Sequence, residues 1–287
     1  MDKHLGFQGL ATALLKRLRR KGWQHLRGGW RLQNALRKIS GLAPIRIQGY
    51  RTLYVNVVED NWQVNELLDG EPFAQIPHEE RIRNLATRFV RPGDCVYDIG
   101  GNIGLHAVLF ERLAGDKGEV HVFEPIPDLF AALSFTFRGS RVKVHNLALS
   151  NANGIVDLYI PEDHSMSSMG NWRNSDRCIQ CPTERLDAVS GLRAPDFIKI
   201  DVEGAEPLVI QGAMDTIRKS MPVIVFEELR AATEVLGYRR GWVMERLLEI
   251  EGYSAFQLEE NGSLAAVKED RPECCEIVMV PRGRLSS

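Results

Sequence analysis

From Arg91-Pro92-Gly93 onward, short apolar runs alternate with stretches of helical length, and this alternation limits the fold more than any other feature. It predicts strands over 95–99, 119–124, 141–149, 155–160, 197–202, 223–227, 254–258 and 276–280, and helices over 103–114, 127–137, 207–219 and 241–251. Strands spaced by helices of this length point to a mostly parallel sheet covered on both faces. Sheets of that kind bind ligands beyond the carboxyl ends of their strands. The chain shows no internal repeat and no low-complexity tract.

The 287 residues suit one large domain with decorations, and 44% apolar content supplies a sizeable core. The net charge of −2 conceals an asymmetry. Residues 1–40 hold ten Lys/Arg against Asp2, a balance of +9, which leaves −11 for the remainder. We read 1–40 as a basic helical extension, 41–77 as a small β and irregular segment, and 78–287 as the main domain. Within 41–77, residues 45–58 read as two strands turning at Gly49. In the helix expected over 77–90, Ile82, Leu85, Ala86 and Phe89 share one face. The basic arm suits a packing role on the body, or contact with a membrane surface or another anionic partner. No apolar run reaches the roughly 18–20 residues of a membrane span, and no secretory leader is evident, so a cytoplasmic location is expected. Cys95, Cys178, Cys181, Cys274 and Cys275 do not form a disulfide framework, and a zinc knuckle lacks its second half.

The run Asp98-Ile99-Gly100-Gly101-Asn102-Ile103-Gly104 links the first strand of the sheet to its helix. Glycines permit a tight turn and close approach of a ligand, while the helix start offers unpaired N–H groups. An acid opening this loop would repel a pyrophosphate. It suits a ligand with a cationic end, such as the amino group and sulfonium of S-adenosylmethionine, whose carboxylate the N–H groups can take. The next strand ends in Phe123-Glu124-Pro125, which places an acid where ribose hydroxyls are held in nucleotide folds. The glycine loop alone is weak evidence. Asp98, Gly100, Gly104 and Glu124, in order on successive strand ends, are much stronger.

These residues, with Asn146-Leu147-Ala148-Leu149-Ser150, Thr183-Glu184-Arg185-Leu186-Asp187 and above all Asp196-Phe197-Ile198-Lys199-Ile200-Asp201-Val202-Glu203-Gly204-Ala205-Glu206, resemble the FkbM family of S-adenosylmethionine-dependent methyltransferases. The resemblance covers roughly residues 66–258. It implies the class I methyltransferase fold, Rossmann-like, with a seven-stranded sheet whose last strand is antiparallel. It also implies methyl transfer to an oxygen of a sugar, glycan or other natural product. By position, Asp98, Gly100, Gly101, Asn102 and Gly104 would hold the methionine part of the cofactor. Glu124 and Pro125 would meet the ribose, Asn146 and Ala148 would flank the adenine, and Asp201 would face the methyl group. Gly101 stands where the family more often has alanine.

An alcohol acceptor must lose its proton, which asks for a base or a metal. Asp201, Glu203 and Glu206 follow the fourth strand, and Glu227 and Glu228 end the fifth. Asp201, Glu203 and Glu227 are the expected catalytic residues. Asp201 is the leading base, and Asp201 with Glu203 or Glu227 suits Mg²⁺ as the alternative. Glu203 or Glu206 would otherwise cap a helix start. His106 suits ligand contact or helix packing equally, while His121 and His145 read as structural. The segment from His164 to Met169 has the length and polarity of a lid. The expected partner is a small-molecule or glycan acceptor, not nucleic acid. Two other classes stay open: a Rossmann-type NAD(P) oxidoreductase, and a binding protein that keeps the fold without the chemistry.

Overall fold

The computed structural model describes residues 42–47, 49–56 and 77–285. The basic helices expected in 1–40 and the irregular stretch before Pro77 lie outside them. Strands β1 (Leu42–Ile45) and β2 (Leu53–Asn56) pair antiparallel. This hairpin is tied to the main body where the Tyr54 N–H donates to Thr136 Oγ1 at 2.9 Å. Helix α1 (Pro77–Phe89) follows, and its predicted apolar face of Ile82, Leu85, Ala86 and Phe89 is buried.

The main sheet is doubly wound. Strand β3 (Cys95–Ile99) lies inside it. The chain first moves one way through α2 (Leu105–Ala114), β4 (Glu119–Phe123), α3 (Pro127–Thr136) and β5 (Val142–His145). It then returns to the other side of β3 as β9 (Phe197–Ile200), α4 (Glu206–Ser220) and β10 (Val223–Leu229). All five strands are parallel. After the short helices α5 (Arg230–Val235) and α6 (Trp242–Leu248) comes β11 (Tyr253–Leu258). The final strand, β13 (Cys274–Pro281), inserts between β10 and β11, antiparallel to both.

The antiparallel last strand agrees with the expectation. The count does not, because the sheet has eight strands where seven were expected. The extra one, β12 (Leu264–Ala265), is a two-residue edge pairing with β11. Alternation along each strand divides the core into two layers. Val96, Val122, Val225 and Val278 pack toward Leu85, Val108 and Leu133, whereas Tyr97, Ile198 and Phe226 pack toward Val209, Ile217 and Leu247. Among the described residues no helix is long and apolar enough to cross a membrane.

Two predicted boundaries move for identifiable reasons. Helix α2 begins at Leu105 rather than at 103, because Asn102 (φ 49°) and Gly104 (φ 87°) adopt left-handed backbone. The strand expected over 141–149 breaks at Asn146, whose Nδ2 donates to the carbonyls of Glu124 and Pro125 at 3.0 and 2.9 Å. Beyond the break, β6 (Ala148–Leu149) leaves the main sheet and joins β8 (Cys178–Glu184), which also pairs with β7 (Gly154–Tyr159). Strand β8 was not anticipated, since only Cys181 and Thr183 along it are buried and no apolar alternation marks it.

Candidate functional site

The direction of winding reverses between β3 and β9, and a crevice opens beyond their carboxyl ends. The two ends are stitched together by the Asp201 N–H, which donates to the Ile99 carbonyl at 2.9 Å. Gly100 (φ 82°) makes that approach possible, since a Cβ there would lie 1.8 Å from the Asp201 carbonyl oxygen. At the neighbouring tip, the Glu124 carboxylate accepts from the Asn102 N–H at 2.8 Å and from the Ile126 N–H at 2.9 Å. Burial pushes this carboxyl up to about 7 in spite of the two amides. A carboxylate offers about four acceptor positions, so two remain for a ligand.

Gly100, Asn102, Glu124, Pro125, Ala148 and Asp201 line one cleft, which holds about 650 Å³ of free space with its open mouth included. Apolar walls come from Phe123, Ile126, Leu147 and Leu149. Asp98, Gly101, Gly104 and Asn146 line neither this cleft nor its neighbour. Gly101 lies against Val122, where a Cβ would come within 2.2 Å of Cγ1, and Gly104 lies against Leu133. Asp98 is 0% exposed and sits 3.7 Å from Lys199 Nζ, which also donates to Asp201 at 2.9 Å.

A second and larger cleft, about 1190 Å³ by the same measure, opens between β9, β10, β13, α1 and α2. It shares Asn102, Ser165, Asp201 and Glu203 with the first, so the two meet at the expected catalytic carboxylates. One oxygen from each of Asp201, Glu203 and Glu227 lies within 4.8 Å of the others. Glu203 reaches the cluster from left-handed backbone (φ 53°), an unusual conformation for a residue with a side chain. Its carboxyl is held far above the ordinary range, first by burial and then by the charges of Glu227 and Asp201. Glu227 is raised by burial and by Asp201.

Two carboxylates considered with these have other work. Glu206 accepts from the Val202 and Gly204 N–H groups at 3.1 and 3.3 Å, which orders the turn into α4. Glu228 points to the opposite face, where it accepts from Arg240 Nε at 3.1 Å, Arg271 Nε at 2.6 Å and the Gly241 N–H at 2.8 Å. Strand β10 extends two residues past 227, to Leu229, so Glu227 and Glu228 fall inside a strand and must diverge.

Sequence reasoning did not pick out Arg81, Lys199 or Glu276 as site residues. Glu276 faces Glu227 in the β10–β13 register and is bound to Arg81 at 2.6 Å. Burial raises its carboxyl to about 7 while Arg81 opposes the rise. A glutamate two residues before Val278 and four before Val280, on the apolar face of a central strand, was the available signal. His106 lines the second cleft and stacks on Phe110 at 6.1 Å between ring centroids. His121 and His145 stack on each other away from both clefts.

The segment from His164 to Met169 contributes residues to the walls of both clefts. Ser165 lines each of them, and Ser168 Oγ donates to the Glu203 carbonyl at 2.5 Å. Cys178 and Cys181 fall three apart on β8, one exposed and one buried, so strand alternation separates their thiols.

Residues 98–253 match the family model described as the methyltransferase FkbM domain. Among characterised proteins, the 31-O-demethyl-FK506 methyltransferase FkbM of Streptomyces tacrolimicus is 38% identical over 161 residues, covering 44% of this chain and 62% of that protein. The 2-O-methyltransferase NoeI of Sinorhizobium fredii is 28% identical over 158 residues, covering 48% of this chain and 65% of the relative. The hexuronic acid methyltransferase AglP of Haloferax volcanii is 25% identical over 186 residues, covering 62% and 71%. The chain thus spans less than two thirds of the length of two of these relatives. A solved FkbM methyltransferase from Methylobacillus flagellatus superposes with a TM-score of 0.45 at 17% identity, over 93% of this chain and 58% of the other. Because the matched span takes in the whole lining of the first cleft and more than half of the 287 residues, the chain belongs to the FkbM methyltransferase domain family.

Proposed function

We propose that this chain is an S-adenosylmethionine-dependent methyltransferase that methylates a hydroxyl of a sugar, glycan or other natural product, and that residues 78–287 carry the activity. The observation that carries the reading is the meeting of two clefts at Asp201 and Glu203, one ending in Glu124 and the other in a carboxylate cluster. Relatives named as a 2-O-methyltransferase, a hexuronic acid methyltransferase and a 31-O-demethyl-FK506 methyltransferase support an oxygen acceptor. The family match leaves the oxidoreductase alternative without support.

The first cleft fits the cofactor in its chemistry. Glu124, fixed by two backbone amides, can accept the ribose hydroxyls, and the apolar walls around Ala148 suit an adenine ring. Asp98 acts from beneath the loop through its negative field and through Lys199. When bound, S-adenosylmethionine supplies a methyl group already activated by its sulfonium. The protein then has to align donor and acceptor, which accounts for the shared wall. A carboxylate of the cluster would take the acceptor's hydroxyl proton as the methyl group passes from sulfur to that oxygen. Asp201 stands at the junction, and Lys199 keeps its side chain in place. The same carboxylates suit a hard cation such as Mg²⁺. The basic segment 1–40 suits an anionic carrier or membrane face.

Titration calorimetry with S-adenosylhomocysteine and with NAD tests the cofactor. Micromolar binding of the first alone is expected, and tight NAD binding without adenosyl binding overturns the reading. Radiolabelled methyl transfer to glycans and small natural products then identifies the acceptor.

A further inference from the structure

Among the described residues, the second cleft gathers more carboxyl groups than cations. Asp201, Glu203, Glu227 and Glu276 all line it. The two cations there are already engaged: Arg81 pairs with Glu276, and Lys199 lies between Asp98 and Asp201. Ionised together, the four carboxylates would exceed these two cations by two charges, even before Asp98 is counted.

The placement of Glu276 is a separate observation. It is 8% exposed, and its Oε2 is fully buried with no hydrogen-bond partner, while Oε1 holds Arg81. It stands directly opposite Glu227 across the β10–β13 pair. Like charges directly opposite one another destabilise an antiparallel pair, and a buried acceptor without a partner adds to the cost. Glu203 Oε2 is also buried without a partner, on a residue held at φ 53°. Strain and orphaned acceptors concentrated around one point mark a site built for a ligand.

Resting on the methyltransferase reading, we propose that this cleft binds one hard divalent cation, with Asp201, Glu203 and Glu227 as ligands and the free oxygen of Glu276 reaching it through water. All the donors are carboxylate oxygens, as Mg²⁺, Mn²⁺ and Ca²⁺ prefer, and one such ion supplies the two missing charges. The remaining cleft volume leaves room for an acceptor hydroxyl on the ion beside the first cleft. A cation at this point lowers the pKa of that hydroxyl, and the released proton goes to a cluster carboxylate or to water.

Mn²⁺ titration of the full chain, followed by the electron paramagnetic resonance signal of free Mn²⁺, tests this without an acceptor. One Mn²⁺ per chain, displaced by Mg²⁺, is the expected result. Glu227→Gln and Glu276→Gln should each weaken Mn²⁺ binding tenfold or more. S-adenosylhomocysteine binding, measured in EDTA, should persist in both variants and report that they are folded. If Mn²⁺ stays free up to about 1 mM while the adenosyl ligand binds, the cation site is wrong and the methyltransferase reading stands. If Mn²⁺ binds and the adenosyl ligand does not, the methyltransferase reading fails while the ion site survives. Mn²⁺ binding of unchanged strength in both variants places the ion elsewhere and overturns the assignment.

Discussion

The Asn102 N–H donates to Glu124 Oε2 at 2.8 Å, so the carboxylate proposed to hold the cofactor ribose also fixes the glycine loop against the neighbouring strand. Recognition and loop order therefore depend on one side chain. Glu124→Ala should weaken S-adenosylhomocysteine at least tenfold by calorimetry, through loss of charge-assisted hydrogen bonds and release of the Asn102 and Ile126 amides. Glu124→Gln keeps one acceptor oxygen and should lose less.

Gly100 should tolerate no side chain. An alanine Cβ would meet the Asp201 carbonyl at 1.8 Å, and φ 82° strains any L-residue. Gly100→Ala should cost at least about 2 kcal/mol in urea unfolding and also abolish adenosyl binding, because relief requires the ends of β3 and β9 to part.

Glu206 gives the stability a pH dependence. Burial raises its carboxyl from the ordinary 4.5 to about 8. Below pH 4.5 the group is protonated in both the folded and unfolded chains and contributes no penalty. Between 4.5 and 8 the folded chain holds a proton that the unfolded chain has released, so stability falls as pH rises through this window. Glu206→Gln preserves an Oε1 acceptor for Val202 and Gly204 and cannot ionise. The variant should match the wild type near pH 4 and exceed it by on the order of 5 kcal/mol above pH 8, read from urea midpoints.

Glu228 and Glu227 are adjacent in sequence but should behave as opposites. Glu228→Ala leaves Arg240 and Arg271 without their buried partner and should cost about 3–5 kcal/mol of stability. It touches neither cleft shared with Asp201, so adenosyl affinity should stay within about twofold in the folded fraction.

Much of the parallel sheet was legible because its strands are buried on both faces and read as apolar runs such as Cys95–Ile99 and Phe197–Ile200. The β8 strand was not, since one side of its small sheet meets solvent and its inward residues, Ile179, Cys181 and Thr183, do not form an apolar run. Within the site, Asp201 and Glu124 could be singled out because they follow strand tips next to recognisable loops. Asp98 reads the same way in the sequence, yet it lies within β3 and is enclosed below the loop, a matter of how β3, β4 and β9 pack.

Local order along the chain determined the winding of the sheet, the glycine turn at its reversal and the acids at its tips, because each depends on residues close in sequence. Only the tertiary structure decided that Glu276 faces Glu227, that Glu228 turns away, and that Arg81 and Lys199 enter the acid cluster. Those relations depend on strand register and on which face a side chain takes when a distant segment inserts between β10 and β11. Pairing between residues 45 to 55 apart in the chain is a property of the assembled core and leaves no periodicity in the sequence.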